Sequence, residues 1–169
     1  RENDMKIHEY LCTSLLAFAI AGPLAASDLV PARLLGLDMA RDIASAAVEA
    51  CRKDGYQVAV VVTDRSGDPI VIMRDVFVSK YMVQIAHNKT NAVVMSNSPS
   101  GELRTNMARI RDELNELDGV LLMDGGLPIR VGGSLIGAVG VSGAPGGDKD
   151  AACAAAGIAA VEERLEFAD

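Results

Sequence analysis

Apolar side chains recur at steps of three and four residues from Met39 through Ile43 and Ala47 to Cys51, with Ala40, Ala44 and Val48 beside them. This spacing predicts an amphipathic helix over residues 38–54, with Asp38 as its N-cap and Gly55 as its stop. The period then changes. Residues 58–63 form a continuous, mostly β-branched run that is too apolar for a strand with one wet face, so a strand covered on both faces is expected. Asp64-Arg65-Ser66-Gly67-Asp68-Pro69 supplies turn chemistry, and residues 70–73 return as the antiparallel partner.

Helical spacing resumes at Met82, Ile85, Ala86, Lys89, Ala92 and Val93, predicting a helix over residues 78–95 that Ser79 caps and the Ser/Asn/Pro/Gly cluster at 96–101 ends. A more polar helix is expected over residues 102–116, with Leu103, Met107, Ile110 and Leu114 on one stripe and its charges on a solvated face. Residues 120–123, a turn at Asp124-Gly125-Gly126, and residues 127–131 read as the third and fourth strands. Gly132-Gly133 is a two-residue hairpin signal, and residues 135–142 are the fifth strand. After the loop 143–147 comes an alanine-rich helix. The order of elements gives an α+β class with helices around a five-stranded antiparallel sheet.

The N-terminal stretch 5–26 has a different layout: a short polar start with Lys6, an apolar run over residues 11–20, then Gly22-Pro23 and small residues. That is the pattern of a secretory signal peptide with cleavage after Ala26 or Ser27, and its apolar run is too short for a membrane span. Residues 1–27 are therefore expected to be a tail and signal peptide, and 28–169 a single domain, exported to the periplasm or secreted. A buried or partner-binding amphipathic helix in a cytoplasmic protein is the alternative.

Composition narrows the chemistry. The 169 residues carry 23 acidic against 16 basic side chains, a formal charge of -7, which opposes nucleic acid or an anionic membrane surface as partner. Aromatic residues are 4% and Trp is absent, so the core must be built from aliphatic and small side chains. Cys12, Cys51 and Cys153 have no metal-ligand spacing. They read as small apolar core residues, with a single Cys51–Cys153 bridge open if the two meet in space.

The glycines of the fifth strand, Gly137 and Gly140, with Gly143 beyond it, leave gaps that a helix backbone or a flat ligand could fill. The alanine-rich helix makes packing the simpler explanation. The loop 143–148 lacks both GxxxxGK[ST] and GxGxxG, and acidic residues open the helix after it, so a phosphate site is disfavoured; Asp148 and Asp150 read as capping and dipole-complementing residues. His8 falls in the expected signal peptide, which leaves His87 as the only histidine of the mature chain. One histidine builds neither a zinc site nor a hydrolytic triad, and neither HExxH nor GxSxG occurs. A lone histidine on a helix is usually a packing or surface residue, but a single axial histidine can hold a haem.

GGLPI at 125–129, GxxIGAVGVSGA at 133–144 and Ala156-Gly157-Ile158 in the last helix together resemble the GlcG/HbpS-like family of haem-binding proteins, which includes the C-terminal domain of PduO. The strand-turn-strand VVTDRSGDPIVIMRD at 61–75 is similar to the family's, and IAHNKTNAVV at 85–94 matches its IAxxKAxTA helix at Ile85, Ala86 and Lys89. Thr90 and Ala92 depart from that pattern, so no polar residue is carried over at the threonine place. The resemblance spans residues 37–161. It implies a profilin-like three-layer fold with a five-stranded antiparallel sheet between helices, a homo-oligomer, commonly an octamer, and haem as ligand.

On that basis His87 is the first axial-ligand candidate, with Tyr81 and Met82 behind it, and Lys89, Arg74 or Arg130 are candidates to pair with propionates. No catalytic residue is assigned. Two competing expectations are an enzyme of small-molecule or haem-degrading activity built on Asp64, Lys89 and Arg130, and an assembly module without a ligand.

Overall fold

The computed structural model describes Asp28 and residues 30–167. Helix α1 (Leu37–Lys53) leads into strands β1 (Ala59–Asp64) and β2 (Pro69–Arg74), followed by helix α2 (Lys80–Ser96), two short helices α3 (Leu103–Asn106) and α4 (Arg111–Asn115), strands β3 (Gly126–Val131) and β4 (Ser134–Ser142), and helices α5 (Gly147–Ala159) and α6 (Glu162–Glu166). The sheet is antiparallel with order β2-β1-β4-β3, which puts β1 and β4 in its centre.

Side chains alternate across a strand, so the two central strands bury two different faces. Val58, Val60, Val62, Val139 and Val141 pack into one core with Ala40, Ile43, Ala44 and Ala47 of α1 and Ala154 of α5. Helix α2 lies on the opposite face, against β1, β3 and β4. This is why residues 58–62 are wholly buried and carry no alternation. Cys51 and Cys153 do meet: their disulfide ties α1 to α5 inside the first core.

Four strands are present among the described residues, not five. The run at 120–123 is short and apolar, a pattern that fits a strand or a packed loop equally well. Its backbone bonds locally and to α2, with Leu121 N–H donating to the Asn88 carbonyl at 3.1 Å, and Leu122 joins a small separate cluster with Ala92 and Leu103. The polar helix expected over 102–116 is likewise two helical turns with a break at 107–110. The break lets Leu103, Met107 and Leu114 reach that same cluster, while Ile110 stays outside it, 48% exposed.

The expected packing role of the strand glycines holds, but the partner differs. A Cβ on Gly140 would stand 2.1 Å from the Ala86 carbonyl oxygen, so at this glycine it is α2, on the face of β4 opposite the alanine-rich helix, that makes the close approach, while a Cβ on Gly137 would meet the Thr63 carbonyl oxygen of β1 at 2.4 Å. Helix α5 uses its small residues against α1 instead, where a Cβ on Gly157 would meet the Ile43 carbonyl oxygen at 2.6 Å. The Gly132-Gly133 hairpin forms between β3 and β4 with positive φ at both residues, +54° and +80°, as that turn requires.

Candidate functional site

Most of the candidate residues sit on α2 or at its ends. Ser79 starts the helix by accepting the Tyr81 N–H at 3.3 Å, and Asn97 ends it in a left-handed conformation, φ 56°. Successive residues advance about 100° around a helix, so Tyr81 and His87 stand roughly 120° apart and Lys89 stands roughly 160° from His87. The structure therefore does not gather these side chains into one pocket.

Lys89 points into the protein. Its Nζ donates to the Val141 carbonyl and to Asp150 Oδ2, both at 2.8 Å, and Asp150 Oδ1 accepts the Ala144 N–H at 3.0 Å. Asp150 is thus a buried partner of Lys89, while Gly146 occupies the N-cap of α5 without a side-chain bond. Burial pushes the Asp150 carboxyl above its ordinary value, and the hydrogen bond and charge of Lys89 pull it back. Lys89 is committed to this pair and shut from solvent, so a propionate does not reach it.

Met82 turns toward β4, its sulfur accepting from Ser142 Oγ at 3.4 Å, and Tyr81 is 60% exposed with Lys80 over its ring. The Arg74 guanidinium donates to the Val78 carbonyl just before α2. Arg130 donates to the Gly133 and Asn97 carbonyls at 3.0 and 2.6 Å, at the far end. The two arginines flank opposite ends of a helix of 17 residues, about 25 Å long. Of the trio considered for an enzyme, Lys89 is buried with Asp150, and Asp64 holds its own turn by accepting the Ser66 and Asp68 N–H groups at 2.8 and 3.0 Å.

His87 lines a groove that the other candidates do not border, while Arg74 borders a separate cavity beside Arg52 and Asp75. The His87 groove, about 460 Å³, runs between the β1–β2 turn and the 117–120 loop, over the C-terminal half of α2. Ser66, Gly67 and Asp68 form one wall, Leu117 to Val120 the other, and His87, Asn91, Val94 and Met95 the floor. His87 is half-buried, with Nε2 3.0 Å from the Gly67 carbonyl oxygen. A carbonyl can only accept, so Nε2 carries a proton, and of the two neutral tautomers this contact selects the one whose lone pair is on Nδ1. Asn91 fixes the opposite wall by donating to the Gly119 carbonyl at 2.9 Å. Asn91, Val94 and Met95 were not singled out from the sequence, although positions four, seven and eight after His87 share its helix face.

Among the described residues no cluster of three or more His, Cys, Asp and Glu could cage a metal ion. What the groove offers is one imidazole nitrogen beside the apolar side chains of Val94, Met95, Leu117 and Val120, and a single donor of this kind suits a metal already held in a macrocycle better than a bare ion.

The haem degrading protein HbpS-like family matches residues 35–159. A double mutant of HbpS from Streptomyces reticuli is similar at 37% identity over 82% of this chain and 96% of that one, with a TM-score of 0.74. PduOC in a complex with haem is 26% identical over 76% of this chain and 95% of that one, with a TM-score of 0.70. Protein ORFY of Klebsiella pneumoniae shares the fold, with a TM-score of 0.74 at 21% identity over 81% of this chain and 97% of that one. No curated protein matches significantly. With three-quarters of its length inside that family's match, and with the antiparallel sheet and helices of the HbpS structures, the chain belongs to the HbpS-like family.

Proposed function

We propose that this protein binds haem, with His87 as the axial ligand through Nδ1, and that it acts in haem handling. The observation that carries the reading is the family match across residues 35–159, supported by the likeness to PduOC in its haem complex. His87 is preferred within the chain because it is half-buried on the floor of a partly apolar groove and one of its nitrogens is already engaged. When bound, the haem supplies the iron centre, and the residues around His87 orient the ring and exclude water from one side of it. Arg130 stands at the end of α2 that borders the groove and Arg74 at the other, so Arg130 is the first candidate for a propionate.

The same reading includes a profilin-like fold, an exported protein and a homo-oligomer, with an octamer as the expected form. The buried disulfide supports an oxidising compartment. The edge position of β2, with Ile72 53% exposed and Phe77 86% exposed just beyond it, supports an assembly that covers them.

Haem titration followed through the Soret band tests the reading. Wild type is expected to give a saturable haem spectrum, and His87→Ala an altered band with weaker binding. Absence of binding in wild type refutes haem as ligand, and an unchanged spectrum in the variant refutes His87 as its ligand. The family's description favours haem degradation as a second activity, read as peroxide-dependent loss of the bound haem absorbance with release of iron.

A further inference from the structure

We infer that Asp64 is the positioning residue of the groove: it fixes the orientation and tautomer of His87 through the carbonyl of Gly67. The inference rests on the reading of His87 as ligand for its purpose, but its geometry stands on its own. Asp64 closes β1 and knits the turn after it with four hydrogen bonds. Its Oδ1 accepts the Ser66 and Asp68 N–H groups at 2.8 and 3.0 Å, its own N–H donates to the Asp68 carbonyl at 2.9 Å, and its carbonyl accepts the Gly67 N–H at 3.2 Å.

Within this turn Gly67 has φ +96°, and a Cβ there would lie 3.0 Å from Asn91 Oδ1, so the turn rests directly on α2. In that setting the Gly67 carbonyl receives the His87 Nε2 proton at 3.0 Å. A ligating histidine whose other nitrogen donates to a fixed acceptor keeps one tautomer and one ring plane, and losing that outer partner typically weakens metal affinity by about 10- to 100-fold. Asp64 supplies the fixity of the acceptor. An asparagine retains an oxygen that can accept both N–H bonds, whereas an alanine retains none.

The test compares wild type, Asp64→Asn and Asp64→Ala, first without haem. In proton–nitrogen NMR spectra the His87 Nε2–H proton is expected to be protected from water exchange in wild type and Asp64→Asn, with Nδ1 unprotonated, and to be lost to exchange in Asp64→Ala. With haem added, Asp64→Asn is expected to bind as wild type does and Asp64→Ala about 10-fold or more weakly with a shifted Soret band. A protected Nε2–H in Asp64→Ala overturns the inference, as does a fall in melting temperature with that signal unchanged. A wild type that binds no haem refutes the ligand reading instead, and the NMR comparison then decides the role of Asp64 by itself.

Discussion

Lys89 Nζ and Asp150 Oδ2 lie 2.8 Å apart with side chains only 1% and 5% exposed, and this pair pins the middle of α2 to the first turn of α5. The surrounding chain is shaped to it: a Cβ on Gly125 would stand 2.7 Å from Nζ. Removing one member of such a pair strands a buried charge, at a cost of about 3–5 kcal/mol. Lys89→Met and Asp150→Leu are each expected to lose that much in urea unfolding, and the double variant less than their sum. Strict additivity would mean that the two side chains do not act as a pair.

The lysine was legible in the sequence as part of a family-like helix, but its direction was not. Helical spacing put Lys89 among apolar positions, and a lysine there can equally reach out as a propionate partner or inward to an acid 61 residues away. Only the packing of α5 beside β3 and β4 decides between them. The same limit explains why residues 120–123 read as a strand. A four-residue apolar run shows that residues 120–123 are covered, and not whether a sheet or the side of α2 covers them. Local signals fared better where the chemistry is local: the Gly132-Gly133 hairpin, the Ser79 cap and the Asp64 turn all formed as read.

Gly140 marks the closest approach of α2 to the sheet. Gly140→Ala would drive a methyl group to 2.1 Å from the Ala86 carbonyl oxygen, and neither backbone can yield alone. Overpacking of a filled core costs about 1–3 kcal/mol and more where backbone must move. Thermal unfolding is expected to show a loss at or above the top of that range, whereas Gly36→Ala, which meets nothing within 4 Å, is expected to have a far smaller effect.

Thr63 Oγ1 is buried at the end of β1 without a hydrogen-bond partner. An unsatisfied hydroxyl of this kind costs about 1–3 kcal/mol, and an apolar group of the same shape removes that cost. Thr63→Val is therefore expected to be neutral or to raise stability by roughly 1 kcal/mol. A clear loss on denaturant unfolding would show that the hydroxyl is satisfied in solution.

Asp75 and Asp150 give acid stability opposite signs. Burial pushes the Asp75 carboxyl up, but the Arg52 hydrogen bond, the Val58 N–H and the Arg52 charge outweigh it and hold the carboxyl below its ordinary 3.8. Its stabilisation is present above that unfolded value and lost as pH falls through the lower folded value. Asp150 is raised, so its contribution is full below 3.8 and declines as pH rises through the folded value. Melting temperature followed from pH 7 downward is expected to fall less below about pH 4 in Asp75→Asn than in wild type, from a lower starting point. Parallel curves would remove Asp75 as a source of acid sensitivity.

The Cys51–Cys153 bridge closes a loop of 102 residues between α1 and α5, and loss of a native disulfide of that reach typically costs about 2–5 kcal/mol. The Cys51→Ala, Cys153→Ala double variant is expected to melt lower by an amount in that range, and added reductant to lower wild type toward it. The thiol count of the denatured protein reads compartment and processing together. Cys51 and Cys153 form the bridge and Cys12 lies ahead of the expected cut, so cleavage after Ala26 or Ser27 removes Cys12 and leaves the bridged domain without a free thiol. No free thiol in protein recovered from the periplasm or medium is the outcome expected for an exported protein. Three free thiols in fully stable protein would remove both the bridge and the case for export that rests on it.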